Sequence, residues 1–253
     1  MTYKPTTIGA KTATLSVTVS APAASKNVTL TGTGTAPVIT ASATTRAFGN
    51  QLINTVGSSQ TVTVGNTGTA PLFITGIAVT GANLADFSKT STCPIMGSGL
   101  ALGKTCTISL KFKPTTIGVK KASLAINVSS PALSKTVTLT GTGTAPIANV
   151  SRATVLFGNQ VKNTLSSAQT VTVSNSGTAP LFITGISITG TNLADFSKTT
   201  ICPINGAGLA AGKSCTVSMR FKPTAIGAKT ASLQLKVAIP ALSRTVALSG
   251  TGR

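Results

Sequence analysis

The chain contains no histidine, no tryptophan and only two acidic residues, Asp86 and Asp195. Without histidine, no side chain titrates near neutral pH at its ordinary pKa, and the commonest general base is missing. The two carboxylates lie in identical NLADFS segments 109 residues apart, so they cannot act as a paired acid and base within one domain. Two carboxylates are also too few for a calcium site. We therefore predict that the protein is not an enzyme and holds neither a cofactor nor a metal ion.

Long apolar runs are also missing from the chain. No segment approaches the roughly 18–20 unbroken apolar residues that a membrane-spanning helix needs. The first residues, MTYKPTTIG, lack the apolar core of a secretory signal. They match the interior of the repeat described next, so we expect Met1 to mark a cut within a longer protein.

The chain repeats itself at an offset of 109 residues. FGNQ at 48–51 returns at 157–160, and GTAPLFITGI at 68–77 returns at 177–186. The segment KPTTIGVKKASL at 113–124 has counterparts at 222–233 and at 4–15. A period this long indicates tandem domains with separate cores. We predict full repeats over 37–145 and 146–253, preceded in 1–36 by the last third of another repeat.

Strands in the first full repeat are predicted where apolar residues alternate with small polar ones between Gly- and Pro-rich turns. The clearest are 60–66, 72–81, 106–112, 122–128 and 136–143, with short edge strands around Arg46–Phe48 and near Phe87. About seven strands in roughly 100 residues predict an all-β fold, an immunoglobulin-like sandwich of two antiparallel sheets. The short joins at 31–37 and 140–146 predict tandem sandwiches standing end to end as a stiff rod.

Four cysteines form two pairs, Cys93 with Cys106 and Cys202 with Cys215, each pair 13 positions apart. The second cysteine of each pair falls on the inward face of a predicted strand. We favour one disulfide within each repeat, because zinc sites use closely spaced Cys and His ligands and this chain has no His. The alternative is a pair of free buried thiols. A disulfide would indicate an oxidising compartment, which is the periplasm, the cell surface or the exterior.

Together these motifs resemble bacterial choice-of-anchor D repeats, which belong to the wider ASPM/Hydin-type (ASH) group of immunoglobulin-like domains. The resemblance rests on FGNQ, SSQTVTV, GTAPLFITGI, DFS, the cysteines and TVTLTGTG, and it covers both full repeats and residues 1–36. It implies repeated modules in large exported or surface-anchored proteins with structural, adhesive or matrix roles. The family shares no catalytic residues, and the strongly basic charge of this chain departs from its usual pattern.

Lys and Arg outnumber Asp and Glu by 21 to 2, which gives a formal net charge of +19. Such a charge attracts nucleic acid, acidic polysaccharide or lipopolysaccharide. Cations that flank inward Phe112 and Phe221 are expected to point outward, with others on neighbouring strands. The candidate contacts for an anionic polymer are Lys111, Lys113, Lys120, Lys121, Arg220, Lys222, Lys229 and Lys236. Two plainer interpretations of these cations are solubility and the protection of sheet edges against aggregation.

The two aspartates have a structural and a chemical interpretation. The structural one is that each carboxylate caps a turn by accepting backbone N–H bonds. The chemical one is that it promotes a Lys–Asn isopeptide crosslink.

Residues 1–36 correspond to the last two strands of a sandwich without the strands on which they would pack. Two strands alone are marginally stable in water. We hypothesise that this hairpin docks on the edge of the first full repeat, or on a neighbouring molecule by strand addition, which would be self-association. The plainer interpretation is that it is a remnant of a longer array.

The sequence thus predicts a non-catalytic structural module of a secreted or cell-surface protein, acting as a rod, spacer or filament subunit. The alternative is a basic binding module for extracellular anionic polymers, namely DNA, acidic polysaccharide or lipopolysaccharide. No small-molecule substrate is predicted.

Overall fold

The computed structural model describes residues 1–253, and nearly all of its regular structure is β-strand. The hairpin at the start consists of β1 (Gly9–Val17) and β2 (Lys26–Gly34). The strands of the first repeat are β3 (Ile39–Ala41), β4 (Thr45–Leu52), β5 (Gln60–Asn66), β6 (Ile74–Thr80), β7 (Phe87–Ser91), β8 (Thr105–Phe112), β9 (Gly118–Val128) and β10 (Lys135–Thr144).

The second repeat has the same elements in the same order. Its strands are β11 (Ala148–Val150), β12 (Thr154–Gln160), β13 (Gln169–Asn175), β14 (Ile183–Thr189), β15 (Phe196–Thr200), β16 (Ser214–Phe221), β17 (Gly227–Val237) and β18 (Arg244–Gly252). Short 3₁₀ turns, Leu84–Asp86 and Leu193–Asp195, precede β7 and β15. No helix in the structure has the length and apolar character needed to cross a membrane.

Each repeat is an immunoglobulin-like sandwich of two four-stranded sheets. In the first repeat the strand orders are β3-β5-β8-β7 and β4-β10-β9-β6, and in the second they are β11-β13-β16-β15 and β12-β18-β17-β14. The pairing of β12 with β18 is parallel, whereas the other pairings within the second repeat are antiparallel. The tandem all-β fold predicted from the sequence is therefore confirmed.

The structure adds two details to this prediction. Each repeat has eight strands where about seven were expected, because the three-residue strands β3 and β11 pair with β5 and β13. The edge strand expected at Arg46–Phe48 extends to Leu52. In the second repeat the equivalent strand β12 passes through a register shift between Leu156 and Asn159, where Gly158 has φ +66°. Such a bulge lets the strand continue beyond the point where its regular pairing is interrupted.

The core of each sandwich is built by the alternation that the sequence showed. On β8, Ile108, Leu110 and Phe112 are completely buried, and their counterparts on β16 are Val217, Met219 and Phe221. Three phenylalanine rings pack together in each core, and the centroids of Phe87 and Phe112 lie 4.9 Å apart. The burial follows from the period of two along a strand, which places every second side chain on the inner face.

By its contacts the chain divides into two compact units. One unit holds residues 1–51, 56–114 and 119–142, and the other holds residues 52–55, 115–118 and 143–253. The strands of the two sandwiches run over 39–144 and 148–252. The hairpin of β1 and β2 belongs to the first unit but forms a two-stranded sheet of its own, so it is not an additional strand of the first sandwich.

Candidate functional site

Each sandwich buries one carboxylate next to one ammonium group. In the first repeat Lys120 Nζ lies 4.0 Å from Asp86 Oδ2, and in the second Lys229 Nζ lies 4.0 Å from Asp195 Oδ2. The lysine side chains are only 8% and 12% exposed. Because the aspartate ends a 3₁₀ turn and the lysine lies near the start of β9 or β17, the pair joins two distant parts of the chain.

The carboxylate of Asp195 also holds the corner between β16 and β17. Its Oδ1 accepts hydrogen bonds from the backbone N–H of Thr224 at 2.8 Å and from the Thr224 hydroxyl at 2.7 Å. The backbone carbonyl of Asp195 accepts a further bond from Lys222 N–H at 2.8 Å. The aspartate accepts a backbone N–H bond as the capping interpretation requires, but the donor lies in a corner 29 residues away and not in its own turn.

Both carboxylate oxygens of Asp195 already have partners within the fold, which limits the chemistry that this aspartate can perform. One oxygen of Asp195 accepts from Thr224 and the other faces Lys229, and the residue is only 4% exposed. No cluster of three or more His, Cys, Asp or Glu residues that could hold a metal ion occurs in the chain. The arrangement serves to connect strands in the fold.

Both predicted disulfides are present. Cys93 is bonded to Cys106 and Cys202 to Cys215, with Cα–Cα distances of 4.9 and 5.0 Å. Each joins β8 or β16 to the segment that follows the neighbouring edge strand, and all four residues are buried. The bond therefore attaches an irregular loop to the core sheet.

The predicted polyanion contacts fall into two groups. Lys120 and Lys229 face Asp86 and Asp195 inside the sandwiches, where a large polymer cannot reach them. Their strands carry them to the inner face because each lysine lies two residues from a buried alanine on the same strand. The remaining candidates are exposed: Lys111, Lys113, Lys121, Arg220, Lys222 and Lys236.

The two buried ion pairs determine the charge of the surface. Asp86 and Asp195 are the only acidic side chains, and each is 4% exposed. All other cationic side chains therefore lack an acidic side chain with which to pair. The solvent-facing side chains of the protein carry charge of one sign only.

Two buried asparagines, Asn66 and Asn175, were not singled out in the sequence analysis. Asn175 is 1% exposed, and its amide nitrogen donates to the carbonyls of Ala179 and Leu209 at 2.8 and 2.9 Å. Its Oδ1 accepts from the backbone N–H groups of Ile147 and Gly177 at 3.1 and 3.0 Å. Asn66 makes the equivalent bonds in the first repeat. The signal was available, since both asparagines precede the repeated segment GTAP by the same spacing.

These asparagines fasten the segment that enters each sandwich. Beside the Asn175 contact, Ala145 N–H donates to Thr178 Oγ1 at 3.2 Å and Thr178 N–H donates to the Ala145 carbonyl at 2.8 Å. Before the first sandwich, Ala36 and Thr69 make the same two bonds at 3.1 and 2.9 Å. The entering segment is thus bonded to the sandwich that follows it.

Two phenylalanines lie outside the cores in which most were expected. Phe73 and Phe182 are each 48% exposed, at equivalent positions of the two repeats. A Cβ added to Gly99 or Gly208 would meet the ring at 3.2 Å, so each ring covers a glycine of the disulfide loop. These residues are surface aromatics that occur once in each repeat.

Comparison with known proteins gives only low likenesses to solved structures. The sequence matches no protein-family model. No curated protein matches it.

Solved structures with some likeness include a protein of unknown function from Porphyromonas gingivalis W83, at 13% identity and TM-score 0.35, covering 84% of this chain and 99% of that one. The ASH/PapD-like domain 7 of human CEP192 has 16% identity and TM-score 0.32, covering 42% and 84%. Mouse PcdhgC3 EC1-3 has 12% identity and TM-score 0.43, covering 98% and 78%.

Proposed function

We propose that this chain is a non-catalytic structural repeat module of a secreted or cell-surface protein and acts as a spacer or filament subunit. The observation that carries the proposal is that each entering segment is bonded to its sandwich through Asn66 or Asn175. The two disulfides favour an oxidising location, which is the exterior, the cell surface or the periplasm. Assignment to the choice-of-anchor D group of ASH domains is part of this proposal and rests on the sequence resemblance.

A spacer must limit how freely its domains move about their joins. Strand β10 ends at Thr144, and the next residue, Ala145, already exchanges two hydrogen bonds with Thr178. The join therefore has no unbonded residue between the last strand of one sandwich and the first anchor of the next. Short, bonded joins restrict movement, whereas Gly/Ser-rich joins behave as flexible coil.

The experiment measures the distribution of distances between spin labels, one on each sandwich, in the full chain. We expect a narrow distribution for the wild type and a broader one for a variant with Gly-Ser-Gly-Ser inserted after Thr144. Thr178→Val, which removes only the acceptor for Ala145 N–H, should fall between them. A wild-type distribution as broad as that of the insertion variant would contradict the spacer function.

The second candidate function is the binding of extracellular anionic polymers. It is favoured by the burial of both aspartates, after which every charged side chain at the surface is a cation. Binding by charge alone is insensitive to sequence and falls steeply with salt concentration. Heparin and duplex DNA should therefore bind at about 50 mM salt and dissociate by about 300 mM.

Two variants with equal charge distinguish a patch from the general field of the protein. The patch variant replaces four exposed cations with Gln, at Lys111, Lys113, Arg220 and Lys222. The control variant replaces four other exposed cations, at Lys26, Lys104, Lys135 and Lys213. If all four patch residues contact phosphates, the slope of log K against log salt concentration for duplex DNA becomes shallower by about 3.6 in the patch variant and by less in the control. Equal losses would indicate binding by net charge alone, and no binding at low salt would remove this function.

A further inference from the structure

The loop between Cys202 and β16 contains Asn205 followed by Gly206, the only Asn-Gly pair in the chain. The backbone of Asn205 has φ +53°, in the left-handed region that asparagine adopts more easily than most residues. Its N–H donates to the carbonyl of Ile183 at 3.0 Å, and this bond holds the loop against the start of β14. The fold therefore keeps the main chain of Asn205 in place.

The side-chain amide of Asn205 and the main-chain N–H of Gly206 make no hydrogen bond within the protein. Both residues are exposed to solvent. The main-chain nitrogen that follows an asparagine can reach the Cγ atom of its side chain and close a five-membered ring. Gly206 has no Cβ to obstruct this approach. The two groups that the ring needs are thus available at the same place.

Two other exposed asparagines with positive φ show what blocks this ring closure. Asn54 and Asn163 both have φ +62°. Each is followed by a β-branched residue, Thr55 or Thr164, whose N–H donates to the carbonyl three residues before it, at 3.2 and 3.0 Å. The branched side chain obstructs the approach, and the bonded nitrogen must first break its hydrogen bond. Asn205 has neither obstacle.

We propose that Asn205 is a modification site that deamidates spontaneously in the folded protein. The main-chain nitrogen of Gly206 loses its proton to a solvent base and attacks Cγ of Asn205, so that an N–Cγ bond forms and the Cγ–Nδ2 bond breaks as ammonia leaves. Water then opens the resulting succinimide at either carbonyl and gives aspartate or isoaspartate. The net reaction consumes one water and releases one ammonia. The inference goes beyond the spacer function, because it assigns a covalent change to a named residue.

Deamidation places a carboxylate on a surface that otherwise has none among its side chains. Asp86 and Asp195 are each 4% exposed, so residue 205 becomes the only acidic side chain open to solvent. The formal net charge of +19 falls by one. Because the loss of ammonia is irreversible in dilute solution, the modified fraction increases with the age of the molecule.

The first repeat provides a matched position without the reactive side chain. Met96 lies at the repeat position of Asn205, has φ +57° and donates its N–H to the carbonyl of Ile74 at 3.0 Å. A Cβ added to Gly97 or Gly206 would meet no atom closer than 3.9 or 3.7 Å, and neither glycine has a positive φ. Gly206→Ala therefore fits the folded loop, and Met96→Asn builds the reactive pair in the first repeat.

The experiment incubates the folded full chain in mildly alkaline buffer and follows residue 205 by peptide mass spectrometry. We expect the peptide that contains it to gain one mass unit progressively, and its isoaspartate fraction to accept a methyl group from an isoaspartate methyltransferase. The rate should fall in mildly acidic buffer, because the attacking nitrogen must lose its proton. Gly206→Ala should slow the reaction at least about tenfold. Met96→Asn should add a second site that reacts within about tenfold of the rate at residue 205.

Three results would overturn the proposal. A peptide of residues 203–209 gives the rate of an unrestrained chain, and a folded protein that reacts more than about a hundredfold more slowly has a loop that prevents ring closure. The second result is an unchanged rate in Gly206→Ala. The third is an equal rate at Asn163, which lies in the same molecule and serves as the internal control. Circular dichroism before and after incubation verifies that each chain stays folded during the measurement.

Discussion

Replacement of Asp195 by Ala tests whether the buried ion pair stabilises the second sandwich. The side chain is buried, accepts two hydrogen bonds from Thr224 and faces Lys229 at 4.0 Å. The variant removes the acceptor for the Thr224 N–H and leaves the Lys229 ammonium group, which is 12% exposed, without its carboxylate. Both consequences lower the free energy of unfolding of the second repeat.

The magnitude follows from these contacts. Breaking a buried pair from one side costs about 3–5 kcal/mol, and a hydrogen bond to a charged group contributes about 1.5–3 kcal/mol. Because Lys229 keeps a small exposed fraction and Thr224 is exposed, we expect the lower end, about 3 kcal/mol. Asp195→Asn keeps an oxygen for Thr224 and should cost less than Asp195→Ala. The double variant Asp195→Leu/Lys229→Met removes both charges and should recover much of the loss.

Hydrogen exchange followed by mass spectrometry measures this effect in one repeat at a time. A loss of about 3 kcal/mol corresponds to roughly a hundredfold faster exchange of the most protected amides of β16 and β17. Peptides from β8 and β9 of the first repeat, which keeps its own Asp86–Lys120 pair, serve as the internal control. A change of less than about tenfold in the second repeat would refute the stabilising role of the pair.

Three further predictions concern the packing, the loop anchor and the disulfides. Gly250→Ala should destabilise the second repeat by about 1–3 kcal/mol in chemical denaturation, because the new methyl group would lie 2.5 Å from Phe221. The control Gly185→Ala, whose Cβ would have no neighbour closer than 4.0 Å, should cost less. Equal losses of stability in the two variants would contradict the proposed clash with Phe221. Asn175→Leu should cost at least about 3 kcal/mol, since it leaves several buried backbone groups without partners, and unchanged amide exchange at Ile147 would count against the anchor. Reduction of both disulfides should lower the free energy of unfolding of each repeat by about 3 kcal/mol, so an unchanged denaturation midpoint after verified reduction would disprove their contribution.

The strand pattern could be predicted from the sequence with good accuracy in the central strands. Strand β5 was predicted with the bounds that the structure shows, and β8 and β10 differ by one residue at their ends. This works because a strand with one buried face must alternate apolar and polar residues, and each repeat displays that alternation independently. Strand β3 was missed because three residues are too short to show a period.

The cysteine pairs were also predictable, because the spacing recurs in both repeats and the chain lacks the histidines that a zinc site would use. The role of Lys120 in a buried ion pair was not predictable from the sequence. Alternation alone cannot tell a lysine at the rim of a sheet from one that reaches inward, and the decision depends on the carboxylate that the fold brings to 4.0 Å. Asn66 and Asn175 recur at the same spacing before GTAP and could have been singled out, but their bonds to the carbonyls of Leu100 and Leu209 depend on segments that are distant in the sequence.

The sequence by itself determined that the chain consists of repeated β-sandwiches with one cysteine pair each, because periodicity and spacing are properties of the chain alone. Only the tertiary structure decided that both acidic residues are consumed inside the cores, leaving a surface of one charge sign. The physical reason is that burial and pairing depend on distances between segments far apart in the chain, and these distances are set when the two sheets pack.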